Sequence, residues 1–123
     1  MEKGRGERHR FYKRLKYAGA GIMHGFKHER NLHIQGVAGL VVVGLGFLLK
    51  VSLVDWIHLL LLIGGVISLE LVNTAIERTV DLITSEPHPL AKAAKDTAAG
   101  AVLVFSIVSL IVGGLIFSKY LIG

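Results

Sequence analysis

The sequence predicts an all-α integral membrane protein, with three transmembrane helices preceded by an amphipathic interfacial helix. Three observations carry that fold class. Apolar residues make up 52% of the 123-residue chain, more than the surface of a small soluble domain accommodates. The charges are segregated and leave apolar runs of bilayer length, about 20 residues each. The basic residues cluster at one side of those runs, which sets an orientation. A chain of this size holds one domain, expected over 11–123 behind a basic tail over 1–10.

Nine of the fourteen Lys and Arg residues fall in the first 30 positions. Among them, Phe11, Leu15, Ala18, Ile22 and Phe26 recur at helical spacing and form one stripe, with Lys13, Arg14, Lys16 and Lys27 elsewhere around the helix. A basic helix of that kind, expected over 11–28, lies in the membrane interface. Its charge is directed at anionic lipid, and no nucleic-acid partner is expected. The segment reads as an amphipathic helix and not as a cleavable leader.

Asn31–Leu49 runs 19 residues without a formal charge, giving a first span over 31–50. Trp56–Leu69 is uncharged, stops at Glu70 and resumes as Leu71–Ile76, giving a second span over 55–80. Ser85-Glu86-Pro87-His88-Pro89 is turn chemistry that ends it. Thr97–Ser118 is 22 uncharged residues, giving a third span over 94–120. The N-terminal segment and the 78–96 connection hold twelve basic residues (the first nine plus Arg78, Lys92 and Lys95), against only Lys50 and Lys119 on the other side. The N-terminus and that connection are therefore expected in the cytoplasm, with Trp56 and Tyr120 anchoring the opposite interface.

The absence of Cys excludes a disulfide framework, a thiolate zinc site and a Cys nucleophile. The six His residues form no His-Glu-x-x-His pattern, and Gly19–Gly25 is neither a Walker loop nor a dinucleotide fingerprint. Those glycines read as sites of close helix packing.

The chemistry lies at the end of the second span, Glu70-Leu-Val-Asn73-Thr-Ala-Ile-Glu77-Arg-Thr-Val-Asp81. At about 100° per residue, Glu70, Asn73, Glu77 and Asp81 fall near 0°, 300°, 340° and 20°. They share one narrow face over three turns. A carboxylate in the hydrocarbon costs at least roughly 2.5–3.5 kcal/mol, so it faces protein, water or a ligand. A helix climbing into solvent explains Asp81 but not Glu70, which lies about 10 Å deeper than Glu77. Glu29-Arg30-Asn31 and Lys95-Asp96 lie on the same side of the membrane. Such hard oxygen donors suit Mg²⁺ with substrate phosphates, and a nearby lysine complements phosphate charge. A channel would need the polar stripe to continue through the bilayer, yet Trp56–Leu69 offers only His58 and Ser68. A non-enzymatic adaptor would use the same charges only to pair helices.

The Glu70–Asp81 string, followed by Ala94-Lys95-Asp96 and preceded by Glu29-Arg30-Asn31, resembles the signature of the small prokaryotic diacylglycerol kinase family. The resemblance covers about 10–121 and implies an ATP- and Mg²⁺-dependent membrane lipid kinase. It further implies a homotrimer with active sites shared between subunits and an N-terminal surface helix. By position, Glu70 would be the general base for the lipid hydroxyl, and Glu29 and Glu77 would hold Mg²⁺ against ATP. Asn73, Lys95 and Asp96 would contact nucleotide, Lys95 through phosphate, with Arg10, Tyr17 and the Glu86-Pro87-His88 turn matching further nucleotide positions. Asn31, Trp56 and Ala99 would line the lipid path beside Glu70. The chain looks more like the Gram-positive, undecaprenol-using branch than the diacylglycerol-using one, in which Gln35 and Ala99 are replaced by a carboxylate and a serine.

Overall fold

The computed structural model describes residues 2–123, with side chains from Gly4 onward. Four helices account for nearly all of it: α1 (Glu2–His28), α2 (Arg30–Leu48), α3 (Leu53–Ile83) and α4 (Pro89–Ile122). Among the described residues there is no strand. The last three helices are each long and apolar enough to cross a membrane, so the chain is a multi-pass membrane protein. The first begins at Glu2, earlier than position 11 where the apolar stripe starts. Its backbone runs helically through the segment expected as a tail. The two long helices also overrun the expected spans, α3 to Ile83 and α4 back to Pro89.

Local chemistry sets the boundaries. Glu29 is extended (φ −108°, ψ 117°) and separates α1 from α2. At the end of α2 the Val51 N–H reaches Gly46 O at 3.1 Å and the Lys50 N–H reaches Phe47 O at 3.3 Å. This is a Schellman closure with Lys50 in the left-handed region (φ 53°), a position that glycine usually takes. Ser52 caps α3 by accepting from the Asp55 N–H at 3.2 Å. His88 caps α4 by accepting from the Leu90 N–H at 3.0 Å, with Pro89 supplying a preset first turn.

Helices α3 and α4 pack as a hairpin, and α2 lies against α3. At Gly65 the ring of Phe105 occupies the space a Cβ would need, so the hairpin closes tightly there. Near the first connection, Val51, Leu59 and Ile116 form a core flanked by Trp56 and Tyr120. A polar latch closes that end. Asp55, 5% exposed, receives Lys119 Nζ at 3.0 Å and the Tyr120 hydroxyl. The same Tyr120 oxygen accepts from the Ser52 N–H at 2.8 Å. Outward faces carry Leu40, Phe47, Leu103 and Leu110 in the open, as expected of helices sheathed by lipid or by further copies.

Asp55 marks one membrane boundary, and a rise of about 1.5 Å per residue converts sequence into depth. Glu70 lies about 22 Å along α3 from Asp55, inside a hydrocarbon layer of about 30 Å. Glu77 lies about 33 Å along, at the opposite boundary, and Asp81 about 39 Å along, beyond it.

Candidate active site

The polar column of α3 is divided among three environments. The deepest holds Glu70, only 3% exposed. Two amides of α2, one turn apart, reach its carboxylate. Asn31 Nδ2 donates to Oε1 at 3.4 Å, and Gln35 Nε2 donates to Oε2 at 3.3 Å. Each carboxylate oxygen thus has its own neutral donor, which compensates for lost water without bringing in a cation. Three polar atoms here are buried without a partner: Gln35 Oε1, Asn73 Oδ1 and Thr74 Oγ1. Buried oxygens are seldom left so in a finished core, and three on residues that bond Glu70 or lie within about a turn of it on α3 suit a ligand-binding site.

One to two turns up, Asn73 donates to Glu77 at 3.2 Å. Beside them, Arg78 bridges α3 to the junction of α1 and α2. It donates to Glu29 at 3.1 Å and to His24 Nδ1 at 2.8 Å. Because Arg only donates, His24 Nδ1 accepts and must be unprotonated. The neighbouring His28, then burial, then the Arg78 charge hold His24 below its ordinary value of 6.5. Gly25 lets α1 approach this corner, since a Cβ there would meet Leu32 and Leu71 side chains at 2.9 and 3.0 Å.

The third environment is a cavity of about 770 Å³ where α3 turns into α4. Its lining includes Glu86, Pro87, His88, Lys92, Lys95 and Asp96. Lys95 pairs with Asp81, and Lys92 pairs with Asp96. A volume of this size falls in the range that holds a nucleotide-sized ligand.

The expected residues are therefore partly assembled in one chain. Glu70 and Asn31 meet, Asn73 and Glu77 meet, and Glu86, Pro87, His88, Lys95 and Asp96 share one cavity. Glu29 pairs with Arg78 rather than meeting Glu77. Among the described residues, no group of three His, Cys, Asp or Glu side chains is arranged around a metal position. The donor set still fits Mg²⁺, which takes one or two protein carboxylates and fills its remaining positions with water and phosphate. The unpartnered Asn73 Oδ1 is a further hard oxygen beside Glu77. Arg10 and Tyr17 are exposed on α1, about 22 Å and 12 Å along that helix from Gly25. Trp56 packs over Gly46 and Phe47 at the far end, about 21 Å along α3 from Glu70. Ala99 is exposed on α4.

Three participants lay outside the expected site: Gln35 as a donor to Glu70, Thr74 as a buried hydroxyl, and Arg78 as the partner of Glu29. The i, i+4 spacing of Asn31 and Gln35 was the available signal for the first. Thr74 sits one turn above Glu70 and shares its face. Arg78 lies about 80° off that face, and nothing in its spacing points to Glu29.

The family model described as "Prokaryotic diacylglycerol kinase" matches residues 16–117. The chain is 54% identical over 113 residues to the undecaprenol kinase of Bacillus subtilis (strain 168), covering 92% of both chains. It is 43% identical over 101 residues to a diacylglycerol kinase of Synechocystis sp., covering 81% of this chain and 58% of that one. It is 34% identical over 102 residues to the diacylglycerol kinase of Escherichia coli (strain K12), covering 83% and 84% respectively.

Proposed function

This chain belongs to the prokaryotic diacylglycerol kinase family and is a membrane lipid kinase, and we propose that it phosphorylates undecaprenol with Mg²⁺-ATP. The product is undecaprenyl phosphate, made at the cytoplasmic side of a bacterial cell membrane. The observation that carries the reading is Glu70: a carboxylate 3% exposed at membrane depth, held by two amides and, among the described residues, paired with no cation. A lipid alcohol can reach that depth from the bilayer and meet there the γ-phosphate of a nucleotide held nearer the cytoplasm.

Glu70 takes the proton of the acceptor hydroxyl, whose oxygen attacks the γ-phosphorus while the bond to the β-phosphate oxygen breaks. The products are the phosphorylated lipid and ADP, and the proton leaves Glu70 for the cytoplasm. General-base help of this kind contributes roughly 10²–10⁴ in rate. The remainder is charge neutralisation and alignment, because phosphoryl transfer needs little covalent assistance. Glu29 and Glu77 would hold Mg²⁺, which would supply charge neutralisation on the phosphates. Asn73 orients Glu77 and presents its free oxygen beside the phosphoryl group. Lys95 contacts phosphate, and Asp96 with the Glu86-Pro87-His88 turn frames the nucleotide in the cavity between α3 and α4.

The chain works as a homotrimer with its N-terminus in the cytoplasm and its single kinase domain over 11–123. The exposed, distant positions of Arg10 and Tyr17 support sharing, since a neighbouring subunit's site would bring them to nucleotide. Asn31 and Ala99 line the path of the acceptor head, and Trp56 lies along its chain toward the far interface. The likeness to a Bacillus subtilis protein named undecaprenol kinase supports undecaprenol as the acceptor.

The test is transfer of labelled phosphate from ATP in detergent micelles, with undecaprenol and diacylglycerol supplied separately and in competition. Mg²⁺-dependent labelling with higher kcat/KM for undecaprenol is expected. Preference for diacylglycerol would overturn the acceptor, and labelling of neither would overturn both.

A further inference from the structure

Gln35 and Asn73 each carry a buried amide oxygen without a partner, and of the two Gln35 is the one that bonds Glu70. Its Nε2 donates to Glu70 Oε2 at 3.3 Å, while its Oε1, on the same planar group, is buried with no partner. Gln35 also lines a groove of about 260 Å³ between α2, α3 and α4, with Gly39, Val42, Leu59 and Leu110 beside Ser106 and Ser109. Neither serine bonds that oxygen, which is left without a partner. An unpartnered buried acceptor costs roughly 1–3 kcal/mol. Asn31, the second amide on Glu70, is exposed, so solvent can complete its bonding whichever way it turns.

The oddity has a chemical resolution. A carboxylate only accepts hydrogen bonds, whereas a carboxylic acid also donates one. A base that takes a proton is held steadily throughout when its partner can match both states. A lysine in place of Gln35 would match only the ionised form and a second carboxylate only the protonated form. An amide matches both, because a half-turn about its last bond exchanges donor for acceptor. We propose that Gln35 is a positioning residue for phosphoryl transfer, donating to the Glu70 carboxylate and, turned over, accepting from Glu70 through its now-free Oε1 once the acceptor's proton has moved there. This rests on Glu70 being the general base. Gln35 touches neither the phosphate nor the hydroxyl and acts through Glu70 alone.

The test uses full-length protein in micelles with two variants and Glu70→Gln alongside. Gln35→Met keeps the length and removes both halves of the amide. Gln35→Asn keeps the chemistry and withdraws it by one methylene, beyond hydrogen-bond reach of an oxygen now at 3.3 Å. Both are expected to lose kcat by about tenfold or more, with KM for Mg²⁺-ATP unchanged and a larger solvent deuterium isotope effect on kcat as proton transfer slows. Thermal midpoints identify any variant that loses its fold, and the other variant then decides. Retention of kcat within twofold by a folded variant overturns the proposal. So does a loss of kcat with an unchanged isotope effect, which a merely structural role would produce. If Glu70→Gln itself keeps its turnover, the general-base reading fails first. If Glu70→Gln is inactive while the Gln35 variants are normal, only this proposal fails.

Discussion

Replacing Tyr120 with Phe removes one oxygen atom from the end of the molecule farthest from the candidate active site. That oxygen donates to Asp55 and accepts from the Ser52 N–H at 2.8 Å. A hydrogen bond to a charged group is worth about 1.5–3 kcal/mol and a neutral one about 1 kcal/mol. Asp55 is 5% exposed, so water does not simply replace the lost donor. Lys119 stays on the carboxylate at 3.0 Å, but its side chain is 61% exposed, and such a pair is screened and worth little. The expected cost is about 2.5–4 kcal/mol, or a fall of roughly 10–15 °C in the melting midpoint for a chain of this size. Scanning calorimetry or intrinsic fluorescence in micelles reads it. Turnover per folded molecule at 25 °C should stay unchanged, because Asp55 lies about 22 Å along α3 from Glu70. A midpoint within 2 °C of the parent, or lost turnover at an unchanged midpoint, would refute the reasoning.

Three further outcomes follow from the geometry. Gly65→Ala sets a methyl group into the Phe105 ring and should cost about 1–3 kcal/mol; Phe105→Leu in the same chain should recover part of it, as thermal melting would show. Lys95→Met removes the Asp81 partner that lines the α3–α4 cavity, so KM for ATP should rise about tenfold in steady-state kinetics while KM for the lipid stays put. His24 binds protons less readily in the folded chain than its ordinary value of 6.5 implies, so the unfolded chain is protonated first as pH falls. The contact with Arg78 is therefore complete above pH 6.5 and is eroded as pH drops toward the lowered folded value. Hydrogen exchange in the last turn of α1 should accelerate over that window, and His24→Gln should abolish the pH dependence.

The sequence disclosed what depends on periodicity alone. Charge-free runs placed three spans, and a rotation of about 100° per residue put Glu70, Asn73, Glu77 and Asp81 on one face. That face divides in space because different helices cover it: α2 over Glu70, and α4 over Asp81. Contacts between helices were not legible. The Asp55–Tyr120 latch joins residues 65 positions apart, and the pairing of Arg78 with Glu29 depends on how α3 is rotated against the α1–α2 junction. The early start of α1 was hidden by Gly4 and Gly6, each of which weakens a helix by about 1 kcal/mol relative to Ala. The capping of α3 by Ser52 and of α4 by His88-Pro89 follows local rules.

The central claim is that depth along α3 separates the base from the nucleotide-binding groups. The most direct measurement is on Glu70→Gln, in parallel with Mg²⁺-dependent ATP binding by the same folded protein. Glutamine fits the site, since it can accept from Asn31 and donate to the free oxygen of Gln35, so folding should be spared. Phosphate transfer should fall by roughly 10²–10⁴ with the Kd for Mg²⁺-ATP unchanged, whereas Glu77→Gln should weaken that Kd. Near-normal turnover by Glu70→Gln, or loss of nucleotide binding together with transfer, would contradict the account.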